Sequence, residues 1–343
     1  MRVLVTGSDG YIGTLLAPML CAKGYSVTGL DTGYYRDGQL YHHPADLLPS
    51  RINRDLRTIS ENDLCGYEAV VHLAELSNDP LSELNPEITY EVNHRGSVRL
   101  ALLCKKAGVR RFVYASSCSV YGAADADLLD EESPTDPRTV YARCKVMVEQ
   151  DVSRLASPDF SPTFLRNATA FGASPSMRFD LVLNNLAGLA WTSGAIQMTS
   201  DGTPWRPLVH VLDICRAIEL VLESPAEAVH NQILNVGSTT ENYQVRQIAE
   251  IVSAGLPGCR LFYGADGGDS RSYRVSFQKI RRLIPSFECA WTAASGVQQL
   301  FDLFRRIDMN SEVFKFRSYT RLRQLAYLLK TGQIDARLFW SRP

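Results

Sequence analysis

MRVLVTGSDGYIG, residues 1–13, decides the fold. Arg2 to Val5 reads as a strand, since every residue after Arg2 is large and apolar with no polar alternation, the pattern of burial on both faces. Thr14 to Lys23 then shows the three-four spacing of a helix with an apolar face. Gly7, Gly10 and Gly13 therefore fall at a strand-to-helix turn. Glycines there let backbone approach a pyrophosphate, and the helix start offers unpaired N–H groups and the positive end of its dipole. Three glycines alone are common; their place directly after a strand and before a helix gives them meaning. Tyr11 and Ile12, between the last two, join the candidate cofactor-binding set.

The rhythm continues outward. Ser26 to Leu30, Ala69 to Leu73, Arg111 to Ala115 and Thr163 to Arg166 read as further strands, with helices over Tyr90 to Ala107 and Thr139 to Leu155. Alternation of this kind predicts an α/β fold, a doubly wound parallel sheet with helices on both faces. The second strand ends at Asp31, eighteen residues beyond Gly13. A carboxylate at that point accepts hydrogen bonds from an adenosine ribose and repels a 2′-phosphate, which favours NAD over NADP, although Arg36 nearby leaves NADP open. Asp55 and Leu56 follow the next strand, either as an adenine contact or as turn residues.

Beyond about Ala170 the pattern loosens into GASPS, SDGTPWRP and ADGGDS, the composition of binding loops. The organisation expected is a cofactor domain over 1–170 with segments near 205–235 returning to it, a ligand domain over 171–313, and a basic helical extension over 314–343. That extension reads as a solvated helix docked on the domain, with a subunit contact as the alternative.

The chain's 36 basic and 37 acidic residues give a net charge of −1, so no global field recruits nucleic acid or an anionic membrane. No run of eighteen apolar residues predicts a membrane span, and the first residues lack the pattern of a signal peptide. Eight scattered cysteines without CxxC or metal-ligand spacing read as reduced thiols of a cytoplasmic protein that binds no metal.

Tyr141-Ala-Arg-Cys-Lys145 sets a phenol and an ammonium on one helix face. A neighbouring ammonium and an oxidised nicotinamide both favour the phenolate, which makes Tyr141 a usable base. YxxxK alone is usually a surface pair; the preceding strand changes its weight. Arg111 to Gly122 ends in hydroxyls at a carboxyl edge, where open parallel sheets bind ligands. Ser117 is the candidate partner of the reacting oxygen, whereas Ser116 and Ser119 suit strand-end capping.

These segments resemble the extended short-chain dehydrogenase/reductases that modify nucleotide sugars, the NAD-dependent epimerase/dehydratase group. The resemblance rests on Thr6 to Gly13, Asp31, Asp55-Leu56, His72-Leu73-Ala74, Asn93, Ser116-Ser117 with Val120-Tyr121-Gly122, Tyr141 to Lys145, and Arg206 with His210 and Asp213. It implies a Rossmann-type NAD domain with a smaller, discontinuous C-terminal α/β substrate domain and a homodimer. It implies that Ser117, Tyr141 and Lys145 carry the chemistry, that Leu73, Ala74 and Asn93 join the cofactor set, and that Asn185 and Arg206 hold the substrate's diphosphate. Departures from the family pattern narrow the reaction. Cys118-Ser119 replaces the acidic pair of 4,6-dehydratases, and Ser119 replaces the glutamate of decarboxylases. Cys118 reads as structural, with proton transfer as a minor alternative. Thr169 stands for an asparagine, and Asp266 for a second diphosphate arginine, which Arg271 or Arg274 replaces.

The expected function is an NAD-dependent epimerase of a nucleoside-diphosphate sugar, most simply at carbon 4. The alternatives are a nucleotide-sugar reductase or dehydrogenase with net redox change, and a non-catalytic NAD-binding regulatory protein. No residue names the base, the sugar or the carbon.

Overall fold

The computed structural model describes residues 1–77, 85–123, 128–265 and 271–341. Its centre is a seven-stranded parallel sheet. The strands are β1 (Arg2–Thr6), β2 (Ser26–Asp31), β3 (Ser50–Asn53), β4 (Ala69–His72), β5 (Arg111–Ser117), β6 (Ser161–Asn167) and, after three strands placed elsewhere, β10 (Gln232–Val236). Their order is β10-β6-β5-β4-β1-β2-β3. The order reverses between β1 and β4, and such a switch point opens a crevice beyond the strands' carboxyl ends. Val3 pairs with both Val27 and Ala69. Val3 and Val5 feed the core on one face, and Leu4 feeds that on the other, as period-two alternation requires.

β7 (Thr169–Phe171), β9 (Trp205–His210) and β11 (Asn242–Gln244) form a second sheet, and β8 (Ala195–Gln197) pairs with β12 (Arg260–Phe262). Within the stretch 205–235, the first strand thus lies in the small sheet and β10 closes the large one. The helix expected over Tyr90 to Ala107 is interrupted: a π-helical turn, Tyr90–Gly96, links Pro86–Thr89 to Ser97–Lys106. Such turns are frequent at functional sites, and apolar spacing does not reveal them.

The extension expected over 314–343 docks on the domain, and part of its polar face is buried rather than solvated. Arg321 and Gln324 are buried. The Arg321 guanidinium donates to Ser176 O at 3.2 Å, Gln324 Nε2 donates to Tyr34 O at 2.7 Å, and Trp340 Nε1 donates to Thr32 O at 2.7 Å. The Tyr34 hydroxyl donates to Leu338 O, and Arg317 pairs with Asp37. Two of the basic side chains, Arg317 and Arg321, thus make internal contacts, the latter also lying over the Tyr35 ring, while Lys315, Arg323 and Lys330 are exposed.

Two buried histidines are held neutral. His72 lies between Thr6 Oγ1 and Ser97 Oγ, both at 2.7 Å. His210 accepts from Leu212 N at its Nδ1 and meets Gln299 Oε1 at its Nε2. Burial lowers their pKa values to about 3 and about 4. Because these lie below the unfolded value near 6.5, the stability each contributes is complete above that value and is lost as pH falls through it toward the folded value. In 1H–13C spectra taken from pH 7.5 to 5, the ring signals of His72 and His210 should stay at neutral-imidazole positions.

Candidate active site

A cleft of about 750 Å³ opens at the switch point. Gly7, Gly10, Tyr11, Ile12, Gly13, Asp31, Asp55, Leu56, Leu73, Ala74, Ser117, Tyr141, Lys145, Asn185, Arg206 and Arg271 line it. Gly7 has φ of +74°, and a Cβ there would stand 2.8 Å from Ala74 N. A Cβ on Gly13 would stand 2.2 Å from Gly7 O. No other residue fits these two positions without moving backbone. The Gly13–Ala22 helix has no side-chain cap, and its start, Ile12 and Gly13, borders the cleft, which brings the positive end of its dipole there.

Asp31 accepts from Asp9 N at 3.0 Å and from Gly33 N at 2.7 Å. Burial, followed by the Asp9 carboxylate, raises its pKa, while the two backbone donors oppose the rise. Arg36 is turned away from the cleft onto Asp9 and Asn53. The cation that left NADP open is thereby occupied. The cradle, the uncapped helix and Asp31 fit the diphosphate and ribose of NAD. Asp55 is engaged by Arg57, with Oδ2 2.6 Å from its guanidinium, and caps the turn that follows.

Tyr141 and Lys145 rise from the first turns of the Val140–Ser153 helix, which Thr139 caps by accepting from Ala142 N. The ammonium lies 5.3 Å from the Tyr141 ring centre. Ser117, at the end of β5, accepts from Ser119 N at 3.1 Å, which leaves its own proton to donate into the cleft. Ser116 points away and donates to Glu149 at 2.5 Å. Cys118 is buried outside the cleft lining, with its thiol 3.1 Å from Arg166 O and its pKa pushed well up by burial. The geometry favours its structural reading.

Two predicted residues do different work. Asn93 is fully buried, and its amide clasps Leu76 by accepting from N and donating to O; Leu76, rather than Asn93, lines the cleft. Arg274 stacks on Trp205 at 5.0 Å and leaves the cleft to Arg271, whose carbonyl accepts from Arg206 at 2.5 Å. Asp266 lies outside the described residues.

Sequence reasoning missed Glu75, Arg178 and Ser119, which all line the cleft. Arg178 forms a two-point pair with Asp180, both contacts at 3.0 Å. Ser119 Oγ is buried with no protein partner among the described residues. Its place two residues beyond Ser117 was the available signal, and the capping reading hid it.

The NAD dependent epimerase/dehydratase family model matches residues 3–237. The chain belongs to that family. UDP-glucose 4-epimerase of Corynebacterium glutamicum is 30% identical over 266 residues, 73% of this chain and 79% of that one. The Bacillus subtilis enzyme of the same name is 28% identical over 333 residues, 88% and 94% of the two chains. Among solved structures, MoeE5 in complex with UDP-glucuronic acid and NAD superposes with a TM-score of 0.77 at 27% identity, covering 89% of this chain and 99% of that one. TunA, an NAD-dependent NDP-hexosamine 5,6-dehydratase, gives 0.79 at 25% identity, covering 90% and 99%. The cofactor of the family is NAD. Among the described residues no helix is long and apolar enough to cross a membrane.

Proposed function

We propose that the protein epimerises a UDP-hexose at carbon 4 through a transient ketone. The observation that carries this reading is the meeting of Ser117, Tyr141 and Lys145 with the glycine cradle and Arg206 in one cleft. When bound, NAD supplies a reversible acceptor for the sugar's hydride. Tyr141 takes the proton of the reacting hydroxyl and later returns it, Ser117 donates to the same oxygen, and the Lys145 ammonium beside the ring supports the phenolate. Cys118 and Ser119, where family 4,6-dehydratases carry an acidic pair, provide no acid and base for expelling water.

Arg206 and Asn185 are proposed to hold the diphosphate. Arg206 is buried, and it donates to Trp205 O at 2.7 Å. A planar guanidinium suits this role because it can bond two phosphate oxygens at once. In Arg206→Ala the affinity for UDP should fall about tenfold to a hundredfold, the loss of a charge-assisted hydrogen bond, with NAD binding unchanged; calorimetry of both ligands checks this.

The reading is tested by incubating the holoenzyme with UDP-glucose and following the anomeric protons. Formation of UDP-galactose with no change at 340 nm supports it, and stoichiometric NADH release sinks it. The cofactor and substrate domain division and a cytoplasmic homodimer paired through the helices spanning 90–107 and 139–155 belong to the same proposal. Sedimentation at micromolar concentration tests the dimer.

A further inference from the structure

Glu75 lies three residues beyond the end of β4, and its side chain is 2% exposed. One oxygen, Oε1, accepts from the Tyr114 hydroxyl at 2.5 Å. The other, Oε2, stands 2.6 Å from Lys145 Nζ. It has no other partner among the described residues and makes an ion-pair contact rather than a directed hydrogen bond. The same ammonium donates to Ala115 O and lies over the Tyr114 ring at 4.6 Å. Glu75, Ala115, Tyr141 and Lys145 all border the cleft.

A buried carboxylate is costly unless a partner of opposite charge offsets its lost hydration. Here that partner is Lys145, beside Tyr141. A lone ammonium 5.3 Å from the phenol ring would strongly favour the phenolate. With a carboxylate pressed against it, the ammonium acts at the phenol as one end of a dipole, whose field falls off faster than that of a single charge.

We propose that Glu75 is the counter-ion of Lys145 and a positioning residue for Tyr141: it fixes the ammonium beside the cleft and offsets its charge at the phenol. The inference rests on the reading of Tyr141 as the base.

The surrounding groups leave this pair in control. His72 from β4 is neutral, its pKa lowered to about 3 by burial. Burial, reinforced by Glu75, pushes the Tyr114 hydroxyl of β5 well up. Burial raises the Cys144 thiol of the catalytic helix to about 12. Glu149 of the same helix is spent on Arg166, and Arg178 from the segment after β7 is paired with Asp180. Burial would lower the Lys145 pKa, but Glu75 and then Tyr141 outweigh it and raise it. Burial raises the Glu75 pKa, while Lys145 and the Tyr114 hydroxyl oppose the rise; the lysine stays charged, and the ionised carboxylate balances it.

The test reads the phenol itself. Absorbance at 295 nm is followed against pH in the NAD-bound protein, and the same titration of the matching Tyr141→Phe background is subtracted to isolate Tyr141. Glu75→Gln keeps the shape but removes the charge, and its one carbonyl oxygen can face Lys145 while its NH2 donates to the Tyr114 hydroxyl. Its Tyr141 titration is expected to move down by about one pH unit, as for an opposite charge no longer cancelled. Glu75→Asp keeps a buried charge but withdraws it by one methylene, and a smaller shift of the same sign is expected. It also serves if Glu75→Gln does not fold. Because the phenolate is the active form, the acid limb of any turnover profile should move to lower pH by the same amount.

An unshifted titration in a folded variant, or an upward one, overturns the proposal. The absorbance needs no substrate, so the two readings fail separately. Absence of turnover with every sugar nucleotide sinks the epimerase reading while the titration still decides on Glu75. Turnover with an unmoved titration sinks Glu75 alone.

Discussion

Tyr141→Phe should lower turnover of the sugar nucleotide by about 10²- to 10⁴-fold, the range for removal of a positioned general base. The loss is confined to the chemical step. The phenyl ring retains its packing on the Val140–Ser153 helix, and Lys145 keeps its contacts with Glu75 and Ala115 O. Gly7, Gly13 and Asp31 are untouched, so NAD content after purification should equal that of the wild type. Anomeric-proton spectra measure the first quantity, and cofactor released on denaturation measures the second. Loss of both together would mean that the substitution had disturbed the cleft rather than the base. Unchanged turnover would remove Tyr141 from the mechanism.

Glu149→Ala should destabilise the fold by about 3–5 kcal/mol, the cost of breaking a buried ion pair and stranding one charge. Glu149 and Arg166 are 3% and 5% exposed and 2.7 Å apart. A second contact, Arg166 Nε to Oε1 at 3.0 Å, makes the pair two-pronged. The guanidinium also donates to Tyr121 Oη at 3.0 Å, and that hydroxyl donates to Asn235 Oδ1 at 2.9 Å. The cluster thus ties the catalytic helix to β6, β10 and the turn after β5. Burial would lower the Arg166 pKa, but Glu149 outweighs it and holds the arginine fully charged, so removal of the carboxylate leaves an unpaired cation in the core. A fall in the urea midpoint measures the cost. Glu149→Ala with unchanged stability would mean that the site relaxes or admits water.

What was legible in the sequence follows from how local each constraint is. The glycine turn could be read because backbone approach to a phosphate demands glycines within a few residues of a strand end. Tyr141 and Lys145 could be paired because a helix repeat brings positions four apart together. Glu75 offered no such handle: its meaning comes from Lys145, seventy residues on, and only the pairing of β4 with β5 brings them together. Arg271 and Arg274 are equivalent as sequence, and the cleft separates them because one borders it while the other stacks on Trp205. The polar contacts of the extension over 314–343 were hidden for the same reason. Their charge pattern suggests solvent, but Asp37, Tyr34 and Ser176 meet them from distant parts of the chain.

Thr320, Arg321, Leu322 and Leu338 border the cleft beside Asp31, Asp55 and Leu56, and Leu338 is tied to Tyr34 across 304 positions of sequence. One wall of the cofactor cleft therefore exists only in molecules whose 317–340 segment is seated. Measured affinity for NAD then equals the affinity of the closed cleft multiplied by the seated fraction. By the same thermodynamic cycle, bound cofactor increases that fraction. Substitutions at Asp37 or Gln324 that unseat the segment would weaken cofactor binding without touching the glycine turn, in proportion to the population they release.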